Sequence, residues 1–373
     1  MTNLPVGIKA IAVSFPSTIR TNDYFRKNYP DLVAQAELKT YARTFSPVEG
    51  IPINELDIWT REMIPYLQDP FRGIIERRVL SAGESSLTLE YRAAKDALEA
   101  AKLSSKDIDL IIVTSMFPEN TELGNASHLA GQLGFTGGAW NLQSTCSSPI
   151  IAFQTACALI QIGEYRNILV VLSQTTSRNC DEDDTLSFFM GDGAAAFVVG
   201  SLTANQGIIS TKIVNTADTT GVFLNELSID QLGNPRIFTR ISKNANKVFR
   251  DMFVDFCRKC CLDAIEQAGL TIEQIDFFVF NTNTAWYSSV HIHALGIDPE
   301  RTINCNPLYG NIGAPSAIVN LYHAAQAGKI RENDLILLYS FGGVSNAAAT
   351  VIRWGNVDLG PAPIFSEKLI GAL

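Results

Sequence analysis

One cysteine stands where a thiol could act as a nucleophile. Cys146 lies in STC, after the run GAWNLQ and before a long apolar segment, and this pattern predicts a strand-to-helix turn. The free N–H groups and dipole of a helix N-terminus lower the pKa of a thiol placed there. A small buried core cysteine fits the position equally well. The other six cysteines lack this placement, so Cys146 is the candidate nucleophile.

An internal duplication indicates which elements position this cysteine. The segment KDALEAAKLSSKDIDLIIV at 95–113 matches LDAIEQAGLTIEQIDFFVF at 262–280, at a constant offset of 167 residues (270 − 103 and 276 − 109). The same offset relates NILVVLS, from Asn167, to DLILLYS, from Asp334. Each copy predicts an amphipathic helix, a polar turn and a buried strand. The chain therefore reads as two similar halves.

Each half carries a second, almost wholly apolar helix. These are predicted from Cys146 to Gly163 and from Asn311 to Gly328, each ending at the glycine that commonly stops a helix. Their apolar surfaces place both at the centre of the molecule. The duplication thus pairs a candidate nucleophile with a candidate hydrogen-bond donor, although Asn311 could also serve only as a helix cap.

Alternating strands and helices predict an α/β fold of five layers, α-β-α-β-α. The expected halves are residues 1–200 and 201–373. Residues 31–70 match nothing in the duplication and are predicted to be a helical insertion. Residues 216–242 are predicted to be a loop-rich segment.

Composition excludes several classes of protein. The chain has 373 residues, is 46% hydrophobic and carries a formal net charge of −9, which argues against a nucleic-acid partner. No apolar run is long enough to span a membrane, and the N-terminus lacks the pattern of a signal peptide. Seven scattered cysteines favour a reducing, cytoplasmic location. Cys257, Cys260 and Cys261 share one predicted helix without a second ligand pair, which favours core positions over a metal site.

Several motifs together resemble ketoacyl synthase III of the thiolase superfamily. They are SFPSTIRTND, STCSS, MGDGAAAFVV, PLYGNIGAPS and LLYSFGG, which occur in the family's order and cover most of residues 72–355. The resemblance implies a thiolase fold, a homodimer, and acyl thioesters of coenzyme A or acyl carrier protein as substrates. It implies no tightly bound cofactor and no metal.

The resemblance also implies roles for individual residues. Cys146 matches the acylated cysteine, and Asn311 the asparagine that holds a thioester carbonyl. Gly343 matches the glycine whose N–H forms an oxyanion hole with that of Cys146. Two further sets are implied: the walls of the acyl pocket, at Phe188, Phe189 and Met190, and a looser coenzyme A contact, at Phe71 and Arg72.

One position departs from the family. The family's histidine follows a strand in a His-Gln-Ala-Asn run, whereas FVFNTNTAW places Asn281 there. A carboxamide can donate a hydrogen bond but cannot carry a proton at a useful pKa. The chain's own histidines do not match the position; they are His128, His291, His293 and His323.

Three functions remain open from the sequence. The first is a ketosynthase of a specialised pathway, which loads an acyl group onto Cys146 and condenses it with a malonyl-type thioester. The second is an acyltransferase to an oxygen, nitrogen or sulfur acceptor without decarboxylation. The third is a non-catalytic partner subunit of an active homologue, against which the retention of Cys146 and Asn311 counts.

Overall fold

The computed structural model describes residues 4–44, 52, 55–229, 233 and 235–364. Its strands are β1 (Val6–Ser14), β2 (Thr18–Thr21), β3 (Glu76–Val79), β4 (Leu110–Met116), β5 (Gly138–Asn141), β6 (Asn167–Thr175), β7 (Asp192–Ser201), β8 (Gly207–Asn215), β9 (Phe223–Ile229), β10 (Pro235–Ile241), β11 (Phe277–Phe280), β12 (Leu335–Phe341), β13 (Asn346–Arg353) and β14 (Asp358–Leu359). Its helices are α1 (Asn22–Asn28), α2 (Pro30–Thr44), α3 (Ile58–Met63), α4 (Ser86–Ala100), α5 (Ala126–Gln132), α6 (Ser148–Gln161), α7 (Ala245–Gln267), α8 (Tyr287–Leu295), α9 (Asn306–Tyr309) and α10 (Pro315–Gln326).

Two sheets of matching topology form the frame. The first has the order β14-β1-β7-β6-β4-β5 and the second the order β8-β13-β12-β11. After the central helix of each half, one strand pairs on both sides: β6 lies parallel to β4 and antiparallel to β7, and β12 lies parallel to β11 and antiparallel to β13. The duplication read from the sequence is therefore present in the strand order.

The two aspartates that the duplication aligns, Asp109 and Asp276, make equivalent hydrogen bonds in the two halves. Asp109 accepts the backbone N–H of Asn167 at 3.0 Å, and Asp276 accepts that of Leu335 at 2.8 Å. In each half a capping box precedes the strand, at Ser104 and at Thr271. These bonds fix the start of one strand against its parallel neighbour, which explains why both copies keep the same polar turn.

The five predicted layers are confirmed. Helix α4 covers the outer face of the first sheet, and α7 with α8 covers that of the second. Helices α6 and α10 lie side by side between the sheets, and each contacts strands of both. One apolar core joins the inner faces of the two sheets to these helices, as expected for helices with apolar surfaces on every side.

Both central helices begin later than predicted. Helix α6 starts at Ser148, after a 3₁₀ turn over Thr145–Ser147, and α10 starts at Pro315 rather than at Asn311. A proline lies in the first turn of each helix, where its fixed φ and missing N–H are tolerated. Cys146 and Asn311 therefore lie in the segments that lead into the helices, not in their first turns.

Of the two segments predicted to lie outside the duplication, 31–70 agrees with its prediction in the described residues and 216–242 does not. The described part of 31–70 is helical, and Trp59 from α3 is buried against Phe253 and Tyr287. Residues 45–51, 53 and 54 of this insertion lie outside the described residues. The segment 216–242 is not loop-rich, because it contains a two-stranded ribbon, β9 paired with β10.

None of the described helices is long and apolar enough to cross a membrane.

Candidate active site

A cavity of about 670 Å³ opens where the central segments of the two halves meet. Cys146 lies in its wall, together with Asn311 and Gly343 from the second half. The ribbon β9–β10 forms another side of the cavity. Three of the residues singled out by sequence are thus brought together at one site.

The turn that carries Cys146 is held by residues of the other half. Thr145 has a φ of 48°, a left-handed conformation that is unusual for a residue with a β-branched side chain. Its hydroxyl is 2.7 Å from that of Ser345, and the Ser340 hydroxyl donates to the carbonyl of Cys146. The strained turn is therefore kept in place by contacts across the duplication, as at many functional sites.

The thiol is more protected from ionisation than the sequence suggested. Burial raises the pKa of Cys146 to about 11, because the apolar surroundings disfavour the thiolate. One side chain opposes this: Asn283 Nδ2 donates to Cys146 Sγ at 3.2 Å and lowers the pKa. The lowered pKa predicted from a helix N-terminus is not what the structure shows, since α6 begins two residues further on.

Asn283, and not Asn281, is the carboxamide next to the nucleophile. The side chain of Asn281 is fully buried and pairs with the backbone of Phe341, accepting from its N–H at 2.9 Å and donating to its carbonyl at 3.3 Å. Asn281 thus extends the bonding between β11 and β12 and does not line the cavity. The prediction that it faces the thiol is corrected, because the chain turns after β11 and presents Asn283 instead.

Asn311 is fixed in the wall opposite the first-half turn. Its backbone N–H donates to Phe189 at 2.7 Å, and its backbone carbonyl accepts from Gly191 and from Gln174. Its side-chain oxygen accepts the N–H of Gly313 at 2.9 Å. That bond occupies the oxygen and leaves the amide nitrogen as the group able to donate into the cavity.

Gly343 lies in the cavity wall beside the strained turn, where its carbonyl accepts from the Thr145 hydroxyl at 3.3 Å. Its predicted role as an oxyanion donor remains a prediction.

Of the three predicted pocket-wall residues, Met190 lines the cavity. Phe188 is fully buried elsewhere, in a cluster with Phe25 and Phe71 whose ring centroids lie 4.9 Å from its own. Phe189 is partly exposed, and its carbonyl accepts from Asn311. The prediction that Phe188 and Phe189 line the pocket is therefore wrong, since neither side chain lines the cavity.

Of the two predicted coenzyme A contacts, Phe71 is corrected, whereas the role of Arg72 stays a prediction. Phe71 is fully buried in the same aromatic cluster, so a nucleotide cannot reach its ring. Arg72 adopts a φ of 53°, and its guanidinium donates to the carbonyls of Tyr66 and Leu67. Neither residue lines the cavity.

The ionisable side chains that line the cavity, among the described residues, are Cys146, Tyr287, Arg178 and Arg236. Burial raises the pKa of Tyr287, so its hydroxyl stays protonated. Arg178 Nη1 donates to both carboxylate oxygens of Glu119, at 2.7 and 2.8 Å. The cavity thus combines one thiol with neutral hydrogen-bonding groups and with two guanidinium groups, each paired with a carboxylate.

The histidines lie elsewhere in the described chain. His291 is buried among aromatic rings, and this burial lowers its pKa to about 3. His323 lies in α10, 2.9 Å from the Tyr309 hydroxyl, with its pKa lowered by burial to about 4. Both are neutral at physiological pH.

Cys257, Cys260 and Cys261 are buried in the core between α7 and the second sheet, as the sequence indicated.

Sequence reasoning missed Asn283, Tyr287 and the ribbon residues. The only available signal for Asn283 was its position two residues after Asn281 in the same loop, which periodicity cannot distinguish once the strand has ended.

Comparison with known proteins shows which family the chain resembles in sequence. The profile of 3-oxoacyl-[acyl-carrier-protein (ACP)] synthase III matches residues 140–217, and that of its C-terminal part matches residues 265–354. Beta-ketoacyl-[acyl-carrier-protein] synthase III of Chelativorans sp. (strain BNC1) is 33% identical over 289 residues, or 76% of this chain and 88% of that protein.

Two solved structures share the fold. The synthase III of Thermus thermophilus superimposes with a TM-score of 0.74 at 26% identity, covering 94% of this chain and 99% of that one. The priming beta-ketosynthase from the R1128 polyketide biosynthetic pathway gives a TM-score of 0.76 at 21% identity, over 95% and 97% of the two chains.

Proposed function

The chain belongs to the beta-ketoacyl-[acyl-carrier-protein] synthase III family, and we propose that it moves an acyl group from a coenzyme A or carrier-protein thioester onto Cys146. The acyl-enzyme then condenses with a malonyl-type thioester. The observation that carries the proposal is the cavity in which the Cys146 thiol accepts a hydrogen bond from Asn283.

Acyl loading follows from the thiol and its neighbours. The Cys146 sulfur attacks the thioester carbonyl, and its proton leaves with the departing thiol of the carrier. Asn283 stabilises the thiolate that attacks, because its N–H points at the sulfur. Carriers enter as substrates, so no tightly bound cofactor is required.

The condensation step suits a cavity without a proton acceptor. Loss of carbon dioxide from a malonyl thioester leaves an enolate, which attacks the acyl carbonyl and releases the Cys146 thiolate. The negative charge of the malonyl carboxylate thus ends on sulfur, and the thiolate is then reprotonated by solvent. Neutral N–H donors suffice to hold the enolate oxygen, a role that we assign to Asn311 and Asn283 because both line the cavity.

Transfer to a hydroxyl or amine would need a base to remove the acceptor's proton. The ionisable groups that line the cavity among the described residues are a thiol, a phenol and two guanidinium groups. Condensation is therefore the second step that these residues support best.

The pathway and the oligomeric state are proposed from the resemblance to the family. The carboxamide in place of a histidine favours a specialised lipid or polyketide pathway, and the family resemblance supports a homodimer. Both are parts of the same proposal.

The test is intact-protein mass spectrometry after incubation with a panel of acyl-CoA and acyl-carrier thioesters. We expect a mass gain equal to the acyl group, absent from Cys146→Ala. Malonyl thioester labelled in its free carboxyl carbon is then added, and labelled carbon dioxide is expected to be released with the acyl adduct discharged. Discharge to other acceptors without carbon dioxide would replace condensation by plain transfer. No adduct with any thioester would leave the non-catalytic subunit as the remaining function.

A further inference from the structure

One face of the ribbon β9–β10 lines the cavity, and most of its side chains are apolar. Paired residues of an antiparallel ribbon share a face, and side chains alternate along each strand. Phe223, Asn225 and Thr239 line the cavity near its inner end, and Ile237 and Pro235 line it further out.

This face continues beyond the cavity. Leu227 pairs with Ile237, and Ile229 pairs with Pro235, so both belong to the cavity-facing side. Leu227 is 78% exposed and Ile229 70% exposed, although each neighbours a cavity-lining residue. Large aliphatic side chains this exposed, aligned with the wall of a pocket, mark a binding surface.

The opposite face anchors the ribbon. Phe238 is buried beneath the guanidinium groups of Arg236 and Arg240, which lie 4.8 and 5.2 Å from its ring centroid. Arg240 pairs with Asp184 at 3.2 Å, and the N–H of Thr239 donates to Asn179. Contacts with the loop between β6 and β7 thus set the orientation of the ribbon. The opposite face is left directed along the cavity.

We propose that this face, from Phe223 outward to Leu227 and Ile229, binds the aliphatic chain of a long acyl group carried by the thioester substrate. The proposal rests on the proposed function, since it names the substrate class of the same site. Continuity with the cavity that contains Cys146 favours an acyl chain over a protein partner, because Ile237 and Pro235, the pair partners of Leu227 and Ile229, line that cavity. Two exposed strand positions, at about 3.3 Å rise per residue, extend the lining beyond the reach of a short acyl group.

The test compares dodecanoyl-CoA with acetyl-CoA. In the double variant Leu227→Ser with Ile229→Ser we expect the rate of Cys146 acylation by dodecanoyl-CoA to fall on the order of tenfold, because contacts with the chain are lost. Acylation by acetyl-CoA should be unchanged. Ile162→Ser is the matched control: it makes the same change at an equally exposed side chain at the end of α6, and should alter neither rate.

A binding measurement separates this inference from the chemistry. Cys146→Ala, with and without the double substitution, is titrated with the same two thioesters, and weaker binding of dodecanoyl-CoA alone is expected. If no thioester acylates Cys146 but this difference in binding is present, the proposed function fails and the acyl-chain surface stands. If acetyl-CoA acylates the protein while dodecanoyl-CoA neither reacts nor binds, the surface is overturned and the function stands. A change in oligomeric state in the double variant, without altered selectivity, would also overturn it and make this face a contact between subunits.

Discussion

Removing the Asn283 carboxamide should make the nucleophile harder to ionise. Asn283 Nδ2 donates to Cys146 Sγ at 3.2 Å, in a site whose burial raises the thiol pKa to about 11. A hydrogen bond to a charged group contributes about 1.5–3 kcal/mol, and one pKa unit corresponds to about 1.4 kcal/mol. Asn283→Ala should therefore raise the pKa of Cys146 by about one to two units.

The expected change in rate is smaller than the change in ionisation. At pH 8 the thiolate fraction should fall about 10- to 100-fold, since the pH lies below both pKa values. A thiolate of higher pKa is also more nucleophilic, with a Brønsted coefficient of about 0.4–0.5, which offsets roughly half of the logarithmic loss. Acylation of Asn283→Ala at pH 8 should thus be about 3- to 10-fold slower than in the wild type.

The assay is the rate of Cys146 modification by iodoacetamide as a function of pH, followed by intact mass, with acyl loading measured in parallel. The wild-type rate should rise about tenfold per pH unit from pH 7 toward pH 10, as for a thiol whose pKa is about 11. Asn283→Asp should raise the pKa at least as far as Asn283→Ala, because it replaces the donor with a negative charge. Asn225→Ala removes a carboxamide from another part of the cavity wall and should leave the profile unchanged.

Two results would refute this reasoning. One is a wild-type profile that levels off below pH 9, which would mean that the thiol is activated despite its burial. The other is an Asn283→Ala modification rate equal to that of the wild type from pH 7 to pH 10, which would mean that the carboxamide does not stabilise the thiolate.

Two further predictions concern the residues that support the site. A Cβ at Gly191 would lie 1.9 Å from the Tyr309 carbonyl oxygen, so Gly191→Ala should lower the free energy of unfolding, measured by urea titration, by at least about 2 kcal/mol. It should also slow acyl loading, because Gly191 is hydrogen-bonded to Asn311 and would displace it. Gly131→Ala in α5 is the control: a Cβ there meets nothing within 4 Å, so the same titration should show a neutral or stabilising effect. Burial raises the pKa of Glu90 from 4.5 to about 7, which favours the protonated carboxyl in the folded state. The free energy of unfolding therefore falls by about 3 kcal/mol on account of this group as the pH rises from below 4.5 to above 7. Glu90→Gln should reduce the difference in unfolding free energy between pH 5 and pH 8 by about 2.5 kcal/mol, because part of the loss occurs below pH 5. An undiminished difference would assign it to other groups such as Asp192, whose pKa burial raises to about 6.

The sequence by itself determined the frame of this protein. The repeated helix, polar turn and apolar strand are local patterns, so the two matching sheets, the five layers and the two central helices could be predicted without a structure. Cys146 and Asn311 could be paired for the same reason, because the duplication fixes equivalent positions along the chain.

Tertiary structure decided which side chains meet the thiol. Beyond the end of a strand the direction of a side chain depends on the path of the loop, so periodicity could not show that Asn281 bonds to Phe341 while Asn283 reaches Cys146. Burial of the thiol likewise depends on residues distant in sequence, and it raises the pKa that a helix N-terminus was expected to lower. The burial of Phe71 and the position of the ribbon β9–β10 in the cavity wall were also decided by tertiary structure. Both depend on contacts between segments that are distant in the sequence.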